Sequence, residues 1–306
     1  NIIDTPGYLD FISDSLGALR VADFALFVVD VSKGVEVGTE LVWEYATEYK
    51  IPKLIVINAL DNEHANFEKT LEELKERFGN RVFPMNIPIN PGPGFNQVLD
   101  VLRSEIVTYK TDRSGAFDEK HASNDWDEKV SKLHQELIEY VAESDDSLLE
   151  KFFEEGGLSE EEMREGIHGT FQKQAFIPLF CSSAEFNIGV ARLMDFISKF
   201  GSSPKDLEKV KGVNSKETEV EITQNDSDPV LFVFKTISEP HMGDLSFFRV
   251  YSGSVKTGDE LFNSARNINE RIGQIYILNG KNRMNIDSLS AGDIGAVVKL
   301  KDTHTG

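Results

Sequence analysis

Cysteine is almost absent from this chain. Cys181 is the only one in 306 residues, which excludes a disulfide framework within the chain and fits a reducing compartment. Placed at the end of an apolar run, its side chain reads as a small buried hydrophobe. Long hydrophobic runs are lacking too: none approaches the roughly 20 residues of a membrane-spanning helix, so no membrane role is expected. Positive charge is scarce. Against 52 Asp and Glu stand 32 Lys and Arg, a net charge of −20, which speaks against free DNA or other free nucleic acid as the main partner. The histidines, His241 in Pro240-His241-Met242-Gly243 among them, lack the spacing of metal ligands. There is no starting Met, signal peptide or internal repeat. The chain opens on Asn1-Ile2-Ile3, which reads as the middle of a strand, so it is expected to be a fragment of a longer protein.

The hydrophobic content of 40% supports real cores, and the length suits one large or two medium domains. Short β-branched runs alternate with helical patterns over the first eighty residues. Asn1–Ile3 reads as a strand, Leu9–Val21 as a helix, Phe24–Asp30 as a second buried strand and Val37–Tyr49 as a helix. Ile51–Asn58 reads as a strand buried on both faces, and Asn66–Phe78 as a helix. This alternation predicts an α/β fold with a parallel sheet. From about Arg81 the prolines predict loops and edge strands. Helices are expected over Asp125–Glu143, Asp145–Glu154 and Ser159–Lys173, the last opened by a Ser159/Glu162 capping box. An apolar run, Ala175–Cys181, and a helix, Ile188–Phe200, close this half. Ser202–Asp228 is polar and reads as a linker with one exposed strand at Glu219–Ile222. After Pro229 come closely spaced strands separated by Gly and Asn turns: Val230–Ile237, Leu245–Val250, Glu260–Asn263, Ile272–Ile277 and Ile294–Leu300. They predict a small β-barrel, with Phe232, Phe234, Phe247 and Phe248 as core rather than a stacking platform for bases. Charge is uneven: Asp112–Glu165 carries about −12 and Asp228–Gly306 is close to neutral. That split fits an acidic protein-facing lobe beside a balanced module, or a set of solvated helix faces.

Three strand ends hold residues with a shared chemistry. The run from Ile51 ends in Asn58-x-x-Asp61. A carboxylate there accepts hydrogen bonds from the ring N–H and the exocyclic amino group of guanine, a donor pair that adenine lacks. Asp4-x-x-Gly7 suits a nucleotide-binding sheet, since Asp4 can hold Mg²⁺ through a water and Gly7 lets a backbone N–H approach the terminal phosphate. Ser183-Ala184 would add a backbone N–H toward the guanine carbonyl. Singly, each is matched by an ordinary strand-end turn; the three in this order make the case.

Asp4-Thr5-Pro6-Gly7, Asn58-x-x-Asp61 and Ser183-Ala184 resemble three of the five guanine-nucleotide motifs of translational GTPases. Arg20-Val21-Ala22-Asp23, Gly34-Val35-Glu36, Val42-Trp43, Ala65-Asn66-Phe67, Phe247-Phe248-Arg249-Val250-Tyr251-Ser252-Gly253 and Ala291-Gly292-Asp293-Ile294 resemble bacterial elongation factor G. So does the long insertion between Asn58 and Ser183. The resemblance implies a P-loop-NTPase-type parallel sheet lacking its P-loop portion, with a partial GTP-binding domain over 1–204 and an inserted α/β subdomain at about 81–175. A linker at 205–228 and an elongation-factor-type β-barrel at 229–306 would follow. It implies GTP or GDP and Mg²⁺ as ligands in the complete protein, a cytoplasmic location, and a protein that binds the ribosome and promotes movement of tRNA and mRNA. The acidic subdomain would meet the stalk protein, the barrel the small subunit, and rRNA would be met only within the ribosome. Two positions depart from the family. Tyr8 stands where it has the His that positions the attacking water, and a phenol is a poor substitute for imidazole. Ala59 stands where it has a Lys whose stem covers the guanine face. Slow or absent hydrolysis is therefore expected. Two alternatives are a non-hydrolysing ribosome-binding factor with a vestigial pocket, and a related ribosomal-protection or release-type GTPase.

Overall fold

The structure is a computed structural model that describes residues 1–122, 126–207, 209–214, 218–239 and 243–306. Asp125, expected to open a helix, and the Pro240-His241-Met242 segment lie outside the described residues. The chain divides into two compact units, residues 24–202 and residues 1–23 with 203–306.

In residues 1–23, a turn of 3-10 helix at Leu9–Phe11 leads into α1 (Ile12–Leu19). The strand expected at Asn1–Ile3 is not formed. The segment has no ladder partner, and Ile2 is largely exposed; β-branched residues become a strand only when their backbone groups are paired.

Residues 24–202 begin with β1 (Ala25–Asp30), α2 (Val37–Glu48), β2 (Lys53–Asn58), α3 (Phe67–Phe78) and β3 (Val82–Pro84). A four-stranded antiparallel meander follows: β4 (Asn86–Pro88), β5 (Gln97–Asp100), β6 (Glu105–Tyr109) and β7 (Phe117–His121). Then come α4 (Asp127–Glu143), α5 (Asp146–Glu155), α6 (Glu160–Gln172), β8 (Ile177–Cys181) and α7 (Val190–Phe200). The sheet is parallel in the order β1-β2-β8-β3, so the α/β expectation holds. Residues 82–84 belong to it, and the loops and edge strands expected from about Arg81 are this strand and the meander. Asn66 caps α3 by accepting from the Lys69 N–H at 3.0 Å, and Ser159 and Glu162 form the capping box expected before α6.

β2 is buried along both faces, as its apolar run predicts. β1 is not: Leu26 and Val28 are 39% and 61% exposed. It is an edge strand with one face packed. Phe27 meets Trp43, which stacks on Phe78 at 3.9 Å, so α2 and α3 cover that face only. The opposite face of the sheet shares one continuous core with the inserted helices, in which Val56, Phe83, Val141, Ile167, Phe180 and Phe196 are neighbours. Cys181 ends β8 fully buried, and burial pushes its thiol well above its usual pKa.

In residues 203–306, the linker forms a hairpin of β9 (Val210–Val213) and β10 (Glu219–Ile222). The strands β11 (Val230–Glu239), β12 (Gly243–Ser252), β13 (Ser254–Lys256), β14 (Glu260–Asn263), β15 (Ile268–Arg271), β16 (Ile275–Asn279), β17 (Asn282–Ile286), β18 (Ser288–Ser290) and β19 (Ile294–Val298) follow. Five of them form an antiparallel sheet in the order β11-β12-β19-β16-β17, with β13-β18 and β14-β15 as ribbons. Phe248, Val250, Ile275 and Val297 fill its core. Of the aromatics expected in the core only Phe248 enters it; Phe247 alternates to the other face, where it is half-buried 6.3 Å from the buried Phe234, and the half-buried Phe232 lies 5.1 Å from the Arg20 guanidinium, because successive strand residues point to opposite faces. Residues 1–23 are tied to this sheet. The buried Arg249 donates to the Val21 carbonyl and to Asp23, both at 2.6 Å, and the Tyr251 hydroxyl donates to the Arg20 carbonyl at 3.0 Å. Gly17 faces the Phe234 carbonyl at a distance that leaves no room for a Cβ.

Lys53 opens β2 almost wholly buried, donating to Gln174 Oε1 at 2.5 Å and lying 5.4 Å from the Trp43 ring. Burial, and then the nearby Arg81 charge, lower its pKa from 10.5 to about 8. Between those values the unfolded chain binds more protons than the folded one, so stability rises with pH there. Below about 8 the full cost of the buried charge is present. Lys53→Met is therefore expected to stabilise by roughly 1–2 kcal/mol at neutral pH, net of the lost Gln174 bond and ring contact. The gain should shrink as pH rises from 8 toward 10.5. Urea denaturation of both proteins across that range checks it, and a pH-independent difference would contradict the assignment.

Candidate functional site

The site begins where two adjacent parallel strands end. Ile57 on β2 lies opposite Cys181 on β8, so the loops after both strands leave from the same edge of the sheet, where α/β proteins hold ligands. Asn58 joins them. Its Oδ1 accepts from the Ala184 N–H at 2.9 Å and from the Ser182 hydroxyl at 3.0 Å. In return, the Leu60 N–H donates to the Ser182 carbonyl at 3.2 Å, and the Leu60 carbonyl accepts from Gly92 at 2.7 Å. Two donors and one acceptor thus sew the loops together.

Ala59 sits within this turn at φ 64°, a left-handed conformation that costs a residue with a Cβ roughly 1–2 kcal/mol. The twist carries the chain to Asp61. That carboxylate is half-buried and has no hydrogen-bond or ion-pair partner among the described residues. It is a pre-placed acceptor with two free oxygens, and a flat molecule bearing two adjacent donors would satisfy both.

The second loop is closed by Ser183 and Ile188, which exchange backbone hydrogen bonds at 3.0 and 2.9 Å. Between them lie Ala184 to Asn187. Ser183 is fully buried and its hydroxyl has no partner among the described residues. Gly189 follows at φ 79°, its Cα so near the Cys181 carbonyl that a Cβ would sit 2.3 Å from that oxygen. Only glycine fits there. α7 then starts, and its Arg192, 4% exposed, lies among carboxylates of the meander. It reaches Asp100 at 3.3 Å, Glu105 at 3.2 Å and Glu119 at 2.8 Å. Burial raises the pKa of Asp100; burial and then the Glu119 charge raise that of Glu105.

Of the residues expected at the site, Asn58, Asp61, Ser183 and Ala184 come together at this edge. The backbone N–H expected from Ser183-Ala184 toward a guanine carbonyl is taken up within the protein at both residues: Ser183 donates to the Ile188 carbonyl and Ala184 to Asn58. Asp4, Thr5, Pro6, Gly7 and Tyr8 belong to the other compact unit; Thr5 is half-buried, the rest are exposed, and Tyr8 is 79% exposed. Among the described residues no group of three or more His, Cys, Asp or Glu could hold a metal ion. Ser182 was missed by sequence reasoning, although a hydroxyl directly before Ser183-Ala184 was a signal. Arg113 was also missed. It pairs with Glu185 at 2.9 Å, and a contact spanning 72 residues leaves no local trace.

Known proteins agree with this architecture. The family described as the elongation factor Tu GTP binding domain matches residues 1–203, and that of elongation factor G domain 2 matches residues 229–306. A crystal structure of a Thermus thermophilus protein is similar with a TM-score of 0.84 at 29% identity, over 99% of this chain and 42% of that one. The chain thus spans less than half the length of that protein. It belongs to the translational GTPase family.

Asn58→Ala is expected to lower stability by roughly 1–2 kcal/mol without any nucleotide, because it strands the Ala184 N–H and the Ser182 hydroxyl. Chemical denaturation of the unliganded variant measures this; an unchanged midpoint would show that the seam contributes nothing.

Proposed function

We propose that this chain is part of an elongation factor G-like translational GTPase that binds GTP and the ribosome and promotes movement of tRNA and mRNA, with impaired hydrolysis. The observation that carries the reading is the unpaired Asp61 carboxylate, held at the strand edge by the Asn58 seam in a chain of this family. Asp61 accepts the two guanine donors, Asn58 fixes the turn, and the Ser183-Ala184 loop borders the base. Asp4 would hold Mg²⁺ through a water, and Gly7, lacking a Cβ, would let a backbone N–H approach the terminal phosphate. The ion would neutralise phosphate charge. In this reading the acidic helices of the insert meet the ribosomal stalk protein, the β-domain meets the small subunit, and the protein works in the cytoplasm.

Impaired hydrolysis rests on Tyr8, because a phenol is a poor substitute for the imidazole that positions the attacking water. Reduced affinity rests on Ala59, which leaves the base face without a Lys stem. GTP turnover by the complete protein, with and without ribosomes, beside Tyr8→His, tests the reading. The expected result is little turnover by the native protein and a rise of about tenfold or more with histidine. Ribosome-stimulated turnover by the native protein would refute the impairment. Nucleotide-dependent ribosome binding without turnover by either would favour a factor that senses GTP, and indifference to nucleotide a vestigial pocket. Ala59→Lys should tighten GDP binding severalfold in a calorimetric titration, by covering apolar base surface; unchanged affinity would remove that position from the account.

A further inference from the structure

We propose that the β6–β7 turn of the inserted subdomain is a latch on the Ala184–Asn187 loop, with Arg113 as the positioning residue that sets how long guanine stays bound. The inference rests on the function proposed above. Three of the four loop residues meet this turn. The Arg113 guanidinium donates to Glu185 Oε1 at 2.9 Å and lies 5.1 Å from the centre of the Phe186 ring. Asn187 Nδ2 donates to the Arg113 carbonyl at 3.4 Å. The fourth, Ala184, is held from the other side by Asn58. The loop is therefore gripped between the strand-end motif and the insert.

The turn is built to hold this pose. Asp112 accepts from the Ser114 N–H at 2.9 Å, the Ser114 hydroxyl from the Ala116 N–H at 3.2 Å, and the Ala116 carbonyl from Lys110 at 2.8 Å. Arg113 adopts φ 66°, which turns its side chain and carbonyl toward the loop, and Gly115 at φ 72° passes so close to Asn187 that a Cβ would strike its side-chain amide. Beneath the turn, Tyr109 and Phe117 pack with ring centroids 5.3 Å apart. Arg192 lies 5.2 Å from the Phe117 ring while pairing with Glu105 on β6 and Glu119 on β7. A hairpin fixed at its base presents Arg113 to the loop that borders the guanine carbonyl. Anything that draws the insert away would loosen that border without touching the nucleotide.

The test uses the complete protein with Arg113→Ala, Arg113→Glu, Glu185→Arg and the double reversal. Two quantities are read: amide hydrogen exchange of residues 184–187 without nucleotide, and the release rate of a fluorescent GDP. An exposed ion pair with a ring contact is worth about a two- to fivefold change. Each single variant should speed both exchange and release by about that factor with an unchanged melting temperature, and the double reversal should bring both back toward the native values. Unchanged exchange and release in the single variants, or no recovery in the double, would overturn the latch. If the native protein holds no guanine nucleotide, the proposed function falls, and loop exchange alone then upholds or overturns the latch.

Discussion

A single buried guanidinium organises the α/β unit. Arg192 projects from the last helix and takes ion-pair partners from three strands of the inserted meander, Asp100 on β5, Glu105 on β6 and Glu119 on β7. A buried arginine demands such company, since a charge left unpaired in the interior costs several kcal/mol. Burial raises the pKa of both Asp100 and Glu105, and the Glu119 charge beside them adds to it. Arg103 eases this. Its backbone N–H donates to Asp100, and its side chain lies 3.6 Å from Asp195. The cluster is less a source of stability than a device for fixing one orientation, because few other placements of the meander would pair all four groups.

The same helix begins directly after the loop that Asn58 grips, so the constraint reaches the candidate site. The loop between β8 and α7 has its first turn tied to β2, its middle touched by the β6–β7 turn, and its exit fixed by Gly189 against Cys181. The insert is thus no bead on a string. It shares the core of the parallel sheet through Phe83, Val141, Ile167 and Phe180, and displacing it would open apolar surface at about 25 cal/mol per Å². Coupling between insert and loop follows from contact, without any need for a longer path.

Much of the fold was legible because period and punctuation are local signals. The run of β2 specified a strand buried on both faces, and the Gly and Asn turns after Pro229 marked the antiparallel strands. Burial was less legible. β1 has the composition of a central strand, yet Leu26 and Val28 face outward, since a hydrophobic run does not encode whether a helix covers it. Asn1–Ile3 had strand chemistry without a ladder. The linker hid β9 behind polar residues, because a two-stranded ribbon held by Lys209–Glu221 and Lys211–Glu219 needs little apolar content. At the site, Asn58, Asp61 and Ala184 were legible as a pattern. Ser182, Arg113 and Arg192 act through partners 72 to 124 residues away, and no spacing rule reaches so far.

The residues kept at the site do not all argue equally for a ligand. Asn58 would be retained for the fold alone, since its side-chain oxygen satisfies two donors that would otherwise be stranded between β2 and β8. Ala184 contributes only its backbone to that seam, so its identity says little. Ala59 shows the converse. The turn sets its left-handed φ, and its side chain takes no part in the seam. Asp61 is different. The residue is half-buried, and its carboxylate has no protein partner among the described residues. An acceptor that the protein leaves free beside the seam is what argues for a bound donor.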